Sequence, residues 1–275
     1  MEISREYTGA GGMIGSRLVI ALKRAGYDVI GVDRKPGENI TEIDLADKER
    51  LAEAAEGADR VIHLAALAHT DGEKDLSWER YKHINVDCAK NVFEAAGDRP
   101  VLFISTVDVY GFYDGKTPVN GNTSVHPVTN YGKSKAMAEE ECGKLPHYTI
   151  FRFSPVYTDT IRRDIQKRYY LSYPRIAYQV GKGTSFEILN IDKAVSAMVH
   201  WCSEEPGNEI RIIKDEKMMW TPDYIKEEKA KGNAKIVLHI PGVMVRAGYK
   251  VLSALLGKNE KVYLLNKAVY PLRSE

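Results

Sequence analysis

Cysteine and net charge are both scarce in this sequence. Its 275 residues include only three cysteines, Cys88, Cys142 and Cys202, and these lie far apart. Without a Cys-x-x-Cys pair or an even set of cysteines, the sequence predicts no disulfide framework and no metal site, and it favours a reducing compartment. The formal net charge is only +1. Because such a chain has no overall field that attracts polyanions, we expect no nucleic-acid partner.

The sequence also lacks a long apolar run and an N-terminal segment that resembles a signal peptide. The longest apolar stretch, residues 240–257, is interrupted by Arg246 and Lys250. It is too short and too charged for a comfortable membrane span. The first residues, MEISREYTG, lack the basic and apolar regions of a signal peptide. We therefore expect a cytoplasmic protein without stable membrane insertion. The helix predicted over 241–256 packs on the rest of the protein, caps a hydrophobic pocket or touches a membrane surface.

Short β-rich runs alternate with helical patterns over roughly the first 155 residues. The pattern predicts strands at residues 29–33, 40–44, 60–66, 101–106 and 149–153, and helices at 14–25, 48–56, 78–96 and 131–144. The runs VIHLAA and VLFIST are apolar without alternation, which is typical of strands buried on both faces. This order predicts an α/β fold with a doubly wound parallel sheet.

A glycine-rich turn, TGAGGMIG, precedes the first predicted helix. Gly9, Gly12 and Gly15 follow one another at three-residue intervals. Glycines allow the backbone to turn tightly and to approach a pyrophosphate, whose charge a helix N-terminus favours. A simple strand–helix turn would need the same residues, so this motif alone is a weak signal.

Asp33 strengthens the case for a dinucleotide. It ends the next predicted strand, about twenty residues beyond the glycines. A carboxylate at that place accepts hydrogen bonds from both hydroxyls of an adenosine ribose and repels a 2′-phosphate. The sequence therefore favours NAD over NADP, although the neighbouring Arg34 could turn toward such a phosphate. Polar residues in the first strand, residues 3–7, fit poorly: either this strand is short and displaced, or cofactor affinity is reduced.

Tyr131 and Lys135 are four residues apart at the start of a predicted helix, so their side chains share one face. Thr106 ends the strand 101–106, and ligands of open parallel sheets bind beyond the carboxyl ends of the strands. A tyrosine becomes a base at neutral pH when a nearby ammonium lowers its pKa from about 10. The alternative is a buried tyrosine with an exposed lysine. Two other Tyr-x-x-x-Lys matches are interpreted as chance, namely Tyr178/Lys182 and Tyr263/Lys267.

Together these motifs resemble the extended short-chain dehydrogenases/reductases, and among them the NAD-dependent epimerase/dehydratase family of nucleotide-sugar enzymes. The resemblance rests on TGAGGMIG, Asp33, Asp44-Leu45, HLAA, Asn85, STVDVYG and YGKSK, in that order. It implies a Rossmann-type NAD-binding domain over residues 1–157. It also implies a small C-terminal substrate-binding lobe over residues 158–275, partly interleaved with the first domain. A homodimer through helices 78–96 and 131–144 is a further expectation.

The resemblance also assigns roles to individual residues. Tyr131 would be the general base, Lys135 its electrostatic partner and ligand of the nicotinamide ribose, and Thr106 the assisting hydroxyl. Thr106, Tyr131 and Ser154 would contact the substrate. Cofactor contacts are implied for Gly9, Gly12, Met13, Ile14, Gly15, Asp33, Arg34, Asp44, Leu45, Leu64, Ala65, Ala66, Ala68, Asn85, Ser105, Tyr131, Lys135 and Phe153.

Two departures from the family pattern bear on the reaction. Family 4,6-dehydratases carry Asp-Glu where this chain has Val107-Asp108, and a valine cannot protonate a leaving hydroxyl. Ser154 stands where sugar 4-epimerases usually have an asparagine that contacts the diphosphate. We therefore expect an NAD-dependent epimerase of a nucleotide-linked sugar, acting by transient hydride transfer. The alternatives are an NAD(P)-dependent dehydrogenase or reductase of another alcohol or ketone, sugar or hydrophobic, and a non-catalytic NAD-binding sensor.

Overall fold

A computed structural model describes residues 4–68 and 76–275, with the side chains of all of these except residues 4–7 and 163–164. Its first part alternates strands and helices, as the sequence predicts. The strands are β1 Ser4–Thr8, β2 Asp28–Asp33, β3 Ile40–Glu42, β4 Arg60–His63, β5 Val101–Thr106 and β6 Tyr148–Phe153. The helices are α1 Gly15–Arg24, α2 Lys48–Ala55, α3 Trp78–Lys82, α4 Cys88–Ala96 and α5 Asn130–Cys142. A π-helical turn, His83–Asp87, joins α3 to α4.

The later part of the chain has shorter elements. Its strands are β7 Val156–Tyr157, β8 Tyr170–Ser172, β9 Ile176–Val180, β10 Ser185–Phe186, β11 Leu189–Asn190, β12 Asn208–Ile213, β13 Met219–Trp220 and β14 Ile236–Ile240. Its helices are α6 Arg163–Gln166, α7 Ile191–Trp201, α8 Thr221–Ala230, α9 Gly242–Leu256 and α10 Glu260–Val269.

Seven parallel strands form the main sheet, in the order β12-β6-β5-β4-β1-β2-β3. Chain order reverses at β1, so the carboxyl ends of β1 and β4 meet at the switch point where such sheets bind ligands. Apolar side chains of the strands and helices pack into one core, which includes Leu51 of α2, Phe93 of α4 and Phe103 of β5. The expected Rossmann-type doubly wound sheet is confirmed.

The polar first strand occupies the centre of this sheet. β1 pairs in parallel with β2, from Ser4 opposite Asp28 to Thr8 opposite Val32, and with β4 on its other side. The alternative that this strand is short and displaced is therefore wrong, because all five of its residues pair with β2 at the centre of the sheet. Residue 3 lies outside the described residues, and the side chains of residues 4–7 are not described.

The chain divides into two compact units. The first comprises the described residues of Met1–Val109, with Thr129–Phe153 and Asp192–Ile213. The second comprises Tyr110–Val128, Ser154–Ile191 and Lys214–Glu275. The sheet explains why a late segment joins the first unit: β12 pairs with β6 along its whole length, from Asn208 opposite Tyr148 to Ile213 opposite Phe153. The chain thus crosses between the two units several times.

The second unit has its own small sheet and core. In the sheet β14-β9-β8, β14 runs parallel and β8 antiparallel to β9. Its core includes Tyr169, Ala177, Ile188 and Met219. In the described part of the chain, no helix is long and apolar enough to cross a membrane.

Candidate active site

The glycine-rich loop is fixed by its neighbours in the first unit. The amides of Gly9 and Ala10 donate to the carbonyl of Val32, at 3.0 and 3.2 Å. A Cβ on Gly9, whose φ is +80°, would lie 2.7 Å from the Ala65 amide nitrogen. A Cβ on Gly15 would lie 2.1 Å from the Gly9 carbonyl oxygen. Only glycine therefore fits at these two positions, and the loop packs against the segment that follows β4.

The N-terminus of α1 fits an anionic group. Helix α1 begins at Gly15, and no side chain of the described residues caps it. Its first turn contains no acidic residue, and Met13 and Ile14 before it are half-buried. The first amides of a helix have no partner within the helix and carry its positive dipole end. This arrangement suits a diphosphate.

Asp33 lies at the carboxyl end of β2, beside the glycine loop. Its Oδ2 accepts a hydrogen bond from the Gly11 amide at 3.1 Å, and its Oδ1 accepts one from the Lys35 amide at 3.2 Å. A Cβ on Gly11 would lie 3.3 Å from this carboxylate. Each oxygen has a further lone pair for a ribose hydroxyl. Arg34 is exposed next to it.

Two further loops carry predicted cofactor contacts. Asp44 is exposed, and its Oδ1 accepts from the Ala46 amide at 2.9 Å. The carbonyl of Leu45 accepts from Asn91 at 2.9 Å. The segment after β4 is half-buried and includes Leu64, Ala65, Ala66 and Ala68.

Asn85 holds the segment after β4 in place. Its side-chain Oδ1 accepts from the Leu67 amide at 2.6 Å, and its Nδ2 donates to the Leu67 carbonyl at 3.2 Å. The same Nδ2 donates to Ser134 Oγ at 2.9 Å, and Ser134 Oγ donates to the Tyr131 carbonyl at 2.9 Å. Asn85 thus connects the loop after β4 to the first turn of α5. The side-chain amide of Asn85 thus makes its hydrogen bonds to other residues of the protein, so Asn85 supports the loop.

A second chain of hydrogen bonds joins the end of β5 to the start of α5. Thr106 Oγ1 accepts from the Asp108 amide at 3.2 Å. Asp108 Oδ2 accepts from the Thr129 hydroxyl at 2.6 Å. Thr129 caps α5, because its Oγ1 accepts from the Gly132 amide at 2.9 Å. Tyr131, which is half-buried, lies in the turn that this cap secures. The Asp108 carboxylate therefore fixes the helix that carries the predicted base.

Lys135 is buried, with 1% of its surface exposed. Its ammonium nitrogen lies 3.9 Å from the centroid of the Phe103 ring. Burial lowers the pKa of Lys135 to about 7, although the charge of Glu139 opposes this shift. A lysine with this pKa can hold or release a proton near neutral pH. The alternative of an exposed lysine beside a buried tyrosine is therefore wrong.

Glu139 and Arg152 belong to a network that the sequence analysis missed. Arg152 of β6 donates to Glu139 of α5, with 2.7 Å between Nη2 and Oε2, and both side chains are buried. The Ser105 hydroxyl donates to Glu139 Oε1 at 2.5 Å, so this predicted cofactor contact points into the network. A signal was present, because Arg152 interrupts an apolar strand and Glu139 follows Lys135 by four residues.

His63 is a second missed residue, buried at the carboxyl end of β4. Its Nδ1 shares a hydrogen bond with the Thr8 hydroxyl, and its ring stacks on Phe103 with 5.6 Å between centroids. Burial, and next the charge of Lys135, lower the pKa of His63 to about 3, so the imidazole is neutral. Its Nε2 has no hydrogen-bond partner among the described residues. The HLAA motif was the available signal, but it was interpreted only for its apolar residues.

The remaining predicted residues lie at the end of β6 and just beyond it. Phe153 is buried in the first unit. Ser154 belongs to the second unit and is buried, and its Oγ has no partner within the described ranges. Predicted roles for both residues stay predictions.

Comparison with known proteins places this geometry in a family. The model of the NAD-dependent epimerase/dehydratase family matches residues 7–190. Those residues include the glycine loop, Asp33, Thr106, Tyr131 and Lys135.

The similar curated proteins are named for more than one type of reaction. An uncharacterised UDP-glucose epimerase of Bacillus subtilis, YtcB, is 30% identical over 185 residues, which cover 58% of each chain. An L-arabinose 1-dehydrogenase (NAD(P)(+)) of Haloferax volcanii is 30% identical over 149 residues, covering 48% of this chain and 57% of that protein. The chain thus spans less than two thirds of the length of these relatives.

Solved structures share the fold. The UDP-glucuronic acid 4-epimerase of Bacillus cereus in complex with NAD has a TM-score of 0.70 at 23% identity, covering 87% of this chain and 86% of that chain. The NDP-hexosamine 5,6-dehydratase TunA has a TM-score of 0.68 at 21% identity, covering 87% and 84%.

Proposed function

The chain belongs to the NAD-dependent epimerase/dehydratase family and uses NAD, and from this premise we propose that it epimerises a nucleotide-linked sugar. The observation that carries this proposal is the buried Lys135, which lies one helical turn from Tyr131 on a helix anchored to the Thr106 end of β5. A reaction that removes and returns a proton at one hydroxyl needs this set of groups.

The described residues fit NAD. We assign the diphosphate to the glycine loop and the N-terminus of α1, and the adenosine ribose to Asp33. NAD, when bound, supplies a reversible hydride acceptor. Lys135 would hold the nicotinamide ribose, and Asn85 would support the loop that lines the cofactor.

The proton steps fall to Tyr131, Lys135 and Thr106. Tyr131, as the phenolate, would take the proton of the sugar hydroxyl as the carbon that bears it is oxidised to a ketone. The Lys135 ammonium would stabilise that phenolate by its positive charge. The Thr106 hydroxyl donates to the reacting oxygen. Once the ketone has turned its other face toward the cofactor, Tyr131 would return the proton as that carbon is reduced, which gives the epimer.

Two observations favour epimerisation over elimination of water. Val107 supplies no proton for a leaving hydroxyl. The Asp108 carboxylate accepts from the Thr129 hydroxyl, in the cap of α5. A dehydratase needs an acid and a base here in addition to Tyr131, whereas an epimerase needs neither.

A dehydrogenase or reductase that releases its product is the second candidate. The observation that favours it is Ser154, whose side chain is shorter than the asparagine expected for a diphosphate contact. Similarity to an L-arabinose 1-dehydrogenase over 48% of the chain agrees with this candidate. A purely sensory role is disfavoured, because a sensor has no need of the set Thr106, Tyr131 and Lys135.

The deciding experiment joins cofactor analysis with turnover. The purified protein is denatured and released nucleotide is identified by chromatography, and UDP-glucose and UDP-glucuronic acid are each followed by NMR. We expect tightly held NAD and inversion at one carbon. Tyr131→Phe should keep its NAD and lose turnover by about 10²–10⁴-fold, whereas the control Tyr178→Phe, at a chance Tyr-x-x-x-Lys match, should keep both. If the protein is purified without bound nucleotide, needs added NAD for turnover and releases NADH, it is a dehydrogenase instead.

The homodimer remains part of this proposal, with residues 78–96 and 131–144, which are α3 to α4 and α5, as its expected interface. Sedimentation equilibrium of the holoenzyme measures it directly. A monomer at micromolar concentration would contradict it without touching the assignment of Tyr131.

A further inference from the structure

Helix α9 presents an apolar face to solvent. None of its residues, Gly242–Leu256, is buried. Leu255, Val243, Met244 and Val251 have exposed fractions of 75, 73, 64 and 57%. With Ala247 they follow the three- and four-residue spacing of one helix face, which we call the apolar stripe. In a helix that merely covers a core this face would be turned inward.

The helix is nevertheless firmly held within its unit. On its other side Tyr249 accepts a hydrogen bond from Asn266 of α10, at 3.1 Å. The rings of Tyr249 and Tyr270 meet edge to face, with 5.7 Å between centroids. Helix α10 buries Val262 and Tyr263. The apolar stripe is therefore the outer side of an anchored helix hairpin.

Two cations lie beside the apolar stripe, and two more follow it in the sequence. Arg246 and Lys250 are exposed on α9, four residues apart and beside the stripe. Lys258 and Lys261 follow at once, and the only acidic residue over 242–261 is Glu260. The chain as a whole carries a formal charge of +1, so this segment is a local excess. An apolar face flanked by cations is complementary to acyl chains below a layer of anionic headgroups.

We propose that α9 docks the protein on an anionic phospholipid surface, lying in its plane with the apolar stripe toward the acyl chains. At about 1.5 Å per residue the helix is about 22 Å long, shorter than the roughly 30 Å hydrocarbon core, which agrees with lying on a membrane rather than crossing it. A second copy of the chain is a poorer occupant, because it would bring the same cations against Arg246 and Lys250. This proposal goes beyond the reaction and does not depend on it.

Co-sedimentation of the holoenzyme with vesicles tests the proposal. The vesicles contain either phosphatidylcholine alone or phosphatidylcholine with 30% phosphatidylglycerol. We expect binding to the anionic vesicles only. The triple variant Met244→Ser, Val251→Ser, Leu255→Ser should weaken it by about tenfold or more, and Arg246→Gln with Lys250→Gln should weaken it and reduce its salt dependence. These side chains are exposed, so circular dichroism should show an unchanged fold.

A matched control uses helix α1, with Ile20→Ser and Arg24→Gln. Ile20 is 52% exposed and Arg24 is exposed, and neither belongs to the proposed active site. This variant should bind vesicles as the parent protein does. No binding to anionic vesicles, or equal loss in the control, would overturn the proposal. Unchanged vesicle binding with a fall in sedimentation mass for the triple variant would show that the stripe joins two copies instead.

Discussion

The Lys135 ammonium, on α5, lies against the face of the Phe103 ring of β5, 3.9 Å from its centroid. The aromatic face and the nearby Glu139 carboxylate compensate in part for the loss of water around this charge. Compensation is incomplete, because burial still lowers the pKa of Lys135 to about 7. Lys135 is therefore useful to a proton-transfer reaction and costly to the stability of the fold.

This cost has a pH dependence. In the unfolded chain Lys135 is protonated up to about pH 10, and in the folded chain only up to about pH 7. Between these values the unfolded state binds more protons, so stability rises with pH. Urea unfolding of the cofactor-free protein at pH 7.0 and 8.5 should show a gain of about 1–2 kcal/mol. Lys135→Met should lack this gain.

The matched control is Lys133→Met, two residues away on the same helix but exposed. It should keep the gain in full. The range stops at pH 8.5 because burial raises the pKa of Cys88 to about 11 and that of Cys142 also, so these thiols reduce stability at higher pH. An equal slope in parent and Lys135→Met would mean that Lys135 is charged throughout the range.

Removing one or both charges of the Glu139–Arg152 pair should show that the two groups are coupled. Glu139→Ala leaves the Arg152 guanidinium buried without its carboxylate and should cost about 3–5 kcal/mol in urea unfolding. The double variant Glu139→Leu, Arg152→Met removes both charges and should recover most of this loss. Glu94→Ala, which breaks an exposed bridge to Lys48 of 2.7 Å, should cost less than about 1 kcal/mol. Similar losses at both sites would contradict a buried, coupled pair.

Asp33 should determine the choice between NAD and NADP. Asp33→Ser removes the acceptor of the ribose hydroxyls and the charge that repels a 2′-phosphate. Titration calorimetry should show NAD affinity falling by about tenfold to a hundredfold, with NADP affinity rising or unchanged. Glu38→Ser removes an equal charge from the exposed loop after β2 and should change neither affinity. Preferential NADP binding by the parent protein would instead assign this position to Arg34.

Gly15 should tolerate no side chain. Alanine there would bring its Cβ to 2.1 Å from the Gly9 carbonyl and 2.9 Å from Ala10 Cα, so α1 would have to move away from the loop. We expect Gly15→Ala to lose NAD binding by fluorescence titration and to lower stability by about 1–3 kcal/mol. Gly207→Ala, where a Cβ would meet nothing within 4 Å, should leave both unchanged. NAD bound normally by Gly15→Ala would show that the diphosphate does not need this close approach.

Buried apolar runs made the parallel sheet predictable. β5 matches its predicted residues, because the apolar run VLFIST is typical of a strand that is covered on both faces. β1 could not be judged in this way, since its pairing comes from β2 and β4 rather than from its own composition. The second-unit strands β8, β9 and β14 were not predicted. β8 has only three residues, and β14, although its sequence IVLHI is an apolar run, is exposed or half-buried throughout and owes its place in a sheet to pairing with β9.

In the candidate site, local spacing was predictable and tertiary pairing was not. Tyr131 and Lys135 share a helix face in any α-helix, so four-residue spacing suffices to predict their relation. The partner of Glu139 lies on a strand thirteen residues later, and only the folded sheet brings Arg152 to it. His63 likewise meets Thr8 through the pairing of β1 with β4.

The position of β12 affects the folding of this protein during its synthesis. Because the strand next to β6 comes from residues 208–213, about fifty-five residues must leave the ribosome after β6 before the sheet is closed on that side. Until then β6 is a bare edge with unpaired amides and carbonyls, the type of strand that recruits other chains. A fragment ending near residue 190 would keep the whole Tyr131 helix and still expose this edge, so it would be prone to aggregate.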